Sequence, residues 1–98
     1  MHLKRFKEAQ AFEAGGPANQ WVGYSQFLPG GGAGPDATPF EKVYVVLEGE
    51  MTVIVDGEET VLGRLDSCTI APDEVRRIEN RGQDTCKMLV VIPYPAEV

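Results

Sequence analysis

Few residues of this chain have the type and spacing for chemistry, and the obvious candidates exclude more than they offer. The lone histidine is His2, so no imidazole stands beside either of the two cysteines, Cys68 and Cys86. A cysteine nucleophile needs a neighbouring base, which makes cysteine–histidine catalysis improbable here. The two thiols are too few and too far apart for a disulfide framework or a CxxC metal clamp, and they read as small buried apolar groups. The glycine-rich run GGGAGPDATPF, residues 30–40, resembles a phosphate cradle only superficially. A phosphate loop ends in GK[ST] and opens a helix, and neither feature follows. The run reads instead as an irregular loop or edge segment.

The elements that could position a site are strands. In KVYVVLE, residues 42–48, Val43, Val45 and Leu47 fall on one face and Lys42, Tyr44 and Val46 on the other. That alternation, dense in β-branched residues, predicts a strand covered at least partly on both faces. Gly49 breaks the run, and Met51 to Val55 and Glu58 to Leu62 then flank Asp56-Gly57. This dipeptide tolerates positive φ at both central positions and predicts a two-residue type I′ hairpin. Further strands are expected over Gln20 to Leu28, Cys68 to Ala71, Val75 to Asn80 and Thr85 to Ile92, separated by Gly-, Pro- and Asp-bearing turns. Alternation from Lys42, and from an exposed Lys87, points Tyr44, Val46, Met88, Val90 and Ile92 inward. Trp21, Tyr24 and Phe27 read as core or dimer-surface aromatics. Residues 1–14 form either a short helix or an extended arm and carry no assigned role, and a turn follows over residues 15–19.

The 98 residues, 43% of them hydrophobic, suit a single domain over 1–98, with an arm at 1–19 and a barrel at 20–93. Seven prolines and eleven glycines punctuating short β-rich runs favour an all-β barrel or sandwich. A net charge of -6 argues against nucleic acid or an anionic membrane surface as partner. No apolar run reaches the length of a membrane span and the first residues lack a signal peptide's pattern, so a cytoplasmic location is expected.

PFEKVYVVLEGEMTVIVDGEE followed by LDSCTIAPDEVRRIENRG resembles the two signature motifs of the small single-domain cupins, the conserved-barrel class of double-stranded β-helix proteins. The resemblance covers residues 30–93. It implies an all-β, antiparallel jelly-roll barrel and a homodimer. The family's motifs supply three histidines and a glutamate that converge on a metal, and the second motif also carries an asparagine. Counted back from Gly49, the first motif's ligand places fall on Asp36, Thr38 and Lys42. In the second, the proline, glycine, histidine and asparagine places fall on Ala71, Asp73, Arg76 and Asn80, and only the asparagine is kept. A register one residue later would keep Pro72 as the motif proline and put Arg77 and Arg81 at the histidine and asparagine places. The register retaining Asn80 also sets Leu65-Asp66 on the usual Gly-Asp.

Lys42 and Arg76 would each bring positive charge against a cation, so the resemblance implies neither the family's metal nor its metal-dependent activities, and no cofactor is expected. Cations inside a low-dielectric barrel need an anionic partner, or the lysine must lose its proton. Three readings remain open. An internal carboxylate such as Asp36 pairs with them and the barrel is a filled structural or regulatory dimer. Alternatively, the pair holds the carboxylate or phosphate of a small ligand, in a pocket of Asp36, Thr38, Lys42, Tyr44, Arg76, Asn80 and Met88. In the third, Lys42 and Arg76 serve a metal-independent lyase or isomerase, with Lys42 transferring the proton.

Overall fold

The computed structural model describes residues 20–93. The expected N-terminal helix or arm, the turn at 15–19 and His2 lie outside the described residues. Eight strands follow: β1 (Gln20–Phe27), β2 (Gly32–Asp36), β3 (Lys42–Glu48), β4 (Met51–Val55), β5 (Glu58–Leu62), β6 (Ser67–Ile70), β7 (Arg76–Glu79) and β8 (Cys86–Pro93). They form two four-stranded sheets, in the orders β1-β8-β3-β6 and β2-β7-β4-β5. Every neighbouring pair is antiparallel. The two sheets make the expected all-β jelly-roll sandwich, in which consecutive strands often change sheet.

The period of two in the sequence fixes which side chains fill the space between the sheets. Lys42, Tyr44 and Val46 are buried on β3 while Val43, Val45 and Leu47 are half-buried on its outer face. Met51 and Val53 on β4, Ile78 on β7, and Cys86 and Met88 on β8 complete the centre with Leu62 and Ile70. Val90 is partly buried against this core. Ile92 is only half-buried, because burial fades along β8 toward its end.

The β4–β5 hairpin closes on Asp56-Gly57, whose φ angles of 53° and 75° are those of a type I′ turn. Both flanking strands keep the expected bounds. β3 also keeps its expected bounds, while β1, β6, β7 and β8 differ by one residue at one or both ends, as strand termini commonly do.

The glycine-rich run holds the main surprise. Residues 32–36 pair with β7 as an edge strand, Gly32 opposite Glu79 and Asp36 opposite Arg76, with a register shift between Ala33 and Asp36. Composition alone gives GAGPD almost no strand preference, so the pairing is imposed by the partner strand. Gly34 sits in this bulge at φ +96°, a conformation L side chains rarely adopt, and a Cβ there would stand 2.6 Å from the Arg76 carbonyl.

At the other end of β7, Asn80 ties three segments together. Its amide nitrogen donates to the carbonyls of Phe27 and Asp84, each at 2.9 Å, and its side-chain oxygen accepts from the Gly82 N–H at 2.9 Å. Its own backbone exchanges bonds with Gly30 and Gly31. Asn80 is 1% exposed with its amide oxygen and nitrogen both engaged, which is what a buried amide requires.

Candidate functional site

The first residues of β3 and β7 and the last residue of β2 bring charge into one end of the barrel. Lys42 begins β3 with an inward side chain and is 5% exposed; Arg76 begins β7 and is 8% exposed. Asp36 lies directly across the β2–β7 ladder from Arg76, and its carboxylate stands 3.9 Å from Nη2. The Arg76 Nε–H donates to the Tyr44 hydroxyl at 2.5 Å. Arg76 Nη1 is buried and has no hydrogen-bond partner among the described residues.

The electrostatics follow from this crowding. Burial pushes the Lys42 ammonium below its ordinary range, the Arg76 charge adds to that, and Asp36 opposes both. The Tyr44 hydroxyl is held above its ordinary range, first because it is buried, with Arg76 working in the opposite direction. The cluster therefore has two cations facing one carboxylate whose side chain is 59% exposed.

Of the seven residues expected to form a pocket, the structure gathers Asp36, Lys42, Tyr44 and Arg76. Met88 is fully buried in the core. Asn80 spends its side chain on backbone groups at the far end of β7. Thr38 pins its own loop, its hydroxyl donating to the Phe40 carbonyl and its carbonyl accepting from Asp73 N. Arg77 points outward and pairs with Glu79 at the surface, so it is Arg76 that enters the barrel.

Beside the cluster is a cleft of about 270 Å³ with apolar walls from Val53, Val55 and Ile70 and carboxylates from Glu58 and Glu74. It reaches the charged cluster through shared strands, since Val55 pairs with Arg76 and Cys68, at its edge, pairs with Tyr44. Burial, then Glu74, pushes the Cys68 thiol up, so it is not a ready nucleophile. No local pattern announced this cleft, because β5 and β6 belong to different sheets and only the closed sandwich brings their edges together.

The family model described as Cupin domain matches residues 23–92. The chain belongs to the cupin family. "Beta-D-galactosidase Rv1717" of Mycobacterium tuberculosis (strain ATCC 25618 / H37Rv) is 51% identical over 90 residues, covering 91% of this cupin and 78% of that protein. Among solved structures, a Cupin 2 conserved barrel domain protein from Salinispora arenicola superposes with a TM-score of 0.73 at 16% identity. That match covers 79% of this chain and 65% of the other, so this cupin spans slightly less than two thirds of its length. A predicted oxalate decarboxylase from Thermotoga maritima gives a TM-score of 0.72 at 24% identity, covering 96% of this chain and 77% of the other. At these identities the solved structures speak for the fold alone.

Cupins commonly hold a metal through imidazoles and a carboxylate, and the donors at the corresponding places here do not fit one. Lys42 and Arg76 are buried cations, and among the described residues Asp36 is the carboxylate that faces Arg76. Among the described residues no group of three or more His, Cys, Asp or Glu side chains converges as a metal site. None of the described residues forms a helix long and apolar enough to cross a membrane.

Proposed function

We propose that this cupin is a metal-independent hydrolase of β-D-galactosides, with the sugar entering the barrel end where Asp36, Lys42, Tyr44 and Arg76 gather. The observation that carries the reading is this cluster, set in a chain half identical to a protein named a β-D-galactosidase over nine tenths of its length. Hydrolysis needs one group to take a proton from water and another to give one to the departing oxygen. Asp36 presents an accessible carboxylate for the first task. Lys42, its ammonium destabilised by burial and by Arg76, gives up its proton more readily than an exposed lysine and suits the second. As the bond from C1 to the glycosidic oxygen breaks, water oxygen bonds to C1, its proton passes to Asp36, and the Lys42 proton goes to the leaving alcohol. Arg76 fixes Tyr44 and faces the sugar.

The test is turnover of a nitrophenyl β-D-galactoside by the full chain after exhaustive chelation, with the α-anomer and the β-glucoside as controls. Activity should survive chelation, and Asp36→Asn should lower kcat by about 10²-fold or more with an unchanged melting temperature. Loss of all activity on chelation, or native turnover in Asp36→Asn, would overturn the reading.

The excess of cations over carboxylates favours a second reading, in which the cluster binds a small carboxylate- or phosphate-bearing molecule without cleaving it. Such anions would then raise the melting temperature of a chain that turns over no galactoside.

A further inference from the structure

Arg76 is built into its site in a way that leaves one edge of its guanidinium unused. Nε is taken by Tyr44. Nη2 lies 3.9 Å from the Asp36 carboxylate, beyond a good charge-assisted hydrogen bond, and Nη1 is buried without a partner among the described residues. The side chain is nine-tenths buried, so its own exposed surface does not account for the open donors.

The bulge of β2 packs close against that edge. A Cβ on residue 34 would stand 2.9 Å from Nη1 and 2.6 Å from the Arg76 carbonyl, so the glycine keeps that volume clear of side chain. Nη1 and Nη2 are the two parallel donors with which arginine grips a planar or tetrahedral oxyanion. A water or neutral hydroxyl would satisfy the donors and leave the charge unbalanced. With Lys42 and Arg76 against Asp36 the cluster carries two positive charges and one negative, a formal excess of one positive charge.

We propose that the Nη1–Nη2 edge of Arg76, backed by Lys42, is a subsite for an anionic substituent on the sugar. The chain then prefers acidic galactose derivatives, a uronate or a sulfate or phosphate ester, over neutral ones. The inference rests on the reading of this cluster as the sugar site. Asp36 competes for the same edge from across the ladder, so its carboxylate weakens the grip on an added anion.

Calorimetry on the full chain tests this with galactose, galacturonate, galactose 6-sulfate, galactose 6-phosphate and inorganic sulfate. At least one acidic sugar should bind about tenfold or more tighter than galactose, and the tightest names the substituent. Arg76→Gln should abolish the difference, whereas Arg77→Gln, on the outer surface, should preserve it. Asp36→Asn alters a side chain that is largely exposed, and it should bind the acidic sugar more tightly than the native chain; this arm decides the matter if Arg76→Gln does not fold. Equal affinity for galactose and every acidic sugar overturns the subsite. So does inorganic sulfate binding as tightly as the best sugar, or weaker acid binding in Asp36→Asn. If acidic sugars bind preferentially but no galactoside is cleaved, hydrolysis fails and the subsite stands.

Discussion

The two ends of β7 handle buried polarity in opposite ways. At Asn80, the amide oxygen and nitrogen are both engaged and three backbone groups gain partners in return. At Arg76, a guanidinium is taken out of water with one nitrogen bonded, one near a carboxylate and one unpartnered. A satisfied buried amide stabilises the fold it joins. An incompletely matched buried cation costs stability, and replacing such a group by an apolar one of similar shape is often neutral or stabilising. The contrast separates an end whose polar groups are matched from one whose cation is not.

Three substitutions would break or sharpen that contrast. The largest effect is expected at the packed centre, where Met88 is fully buried. Met88→Ala should destabilise by about 2 to 5 kcal/mol in chemical denaturation, through lost burial and the cavity left behind. Next comes Asn80→Ala, which strands the Phe27 and Asp84 carbonyls and the Gly82 N–H. Its cost should be about 3 kcal/mol, and a value near zero would mean that water replaces the amide and that this end is not the tight one.

The smallest effect is expected at Lys42→Met, which removes a buried charge while keeping the aliphatic stem. Its midpoint at neutral pH should equal or exceed that of the native chain. The pH dependence sharpens the point. The Lys42 pKa is lowered in the fold from an ordinary 10.5, so between its folded value and 10.5 the unfolded chain binds more protons and stability rises with pH. Cys68 and Cys86, raised from 9.0, and Tyr44, raised from 10.0, act the other way, so their contributions fall as pH climbs past those values. Between the lowered Lys42 value and 10.5, Lys42 therefore makes stability rise with pH, and Lys42→Met should remove that contribution. Parallel stability curves would show that Lys42 is not burdened by its surroundings.

Much of this architecture is legible in the sequence because it depends on local rules. Alternation alone put Lys42 beside Tyr44 and Val46 inside the barrel, and Asp56-Gly57 alone fixed a hairpin. Keeping Asn80 in register was enough to turn Arg76 inward and Arg77 outward. What stayed hidden depends on distant partners. GAGPD becomes a strand only because β7 offers it a ladder, and Gly34 matters only because Arg76 lies against it. Asn80 shows the same limit: a buried asparagine looks alike in sequence whether it faces a ligand or three backbone groups. The bond from Arg76 to Tyr44 spans 32 residues, and no spacing rule reaches that far.

On the outer face of the second sheet, Arg81 reaches Glu79 on its own strand's flank and Glu59 on β5, bridging over β4, which lies between β7 and β5. All three side chains are substantially exposed, so mobile ions share their field, and the Debye length shrinks from about 10 Å at 0.1 M salt to about 3 Å at 1 M. Ionic strength thus separates the charges on the outer face from those enclosed between the sheets. Salt will slacken the outer bracket while leaving the enclosed Arg76 and Lys42 comparatively unshielded, so a chain adapted to brine could lose the former and keep the latter.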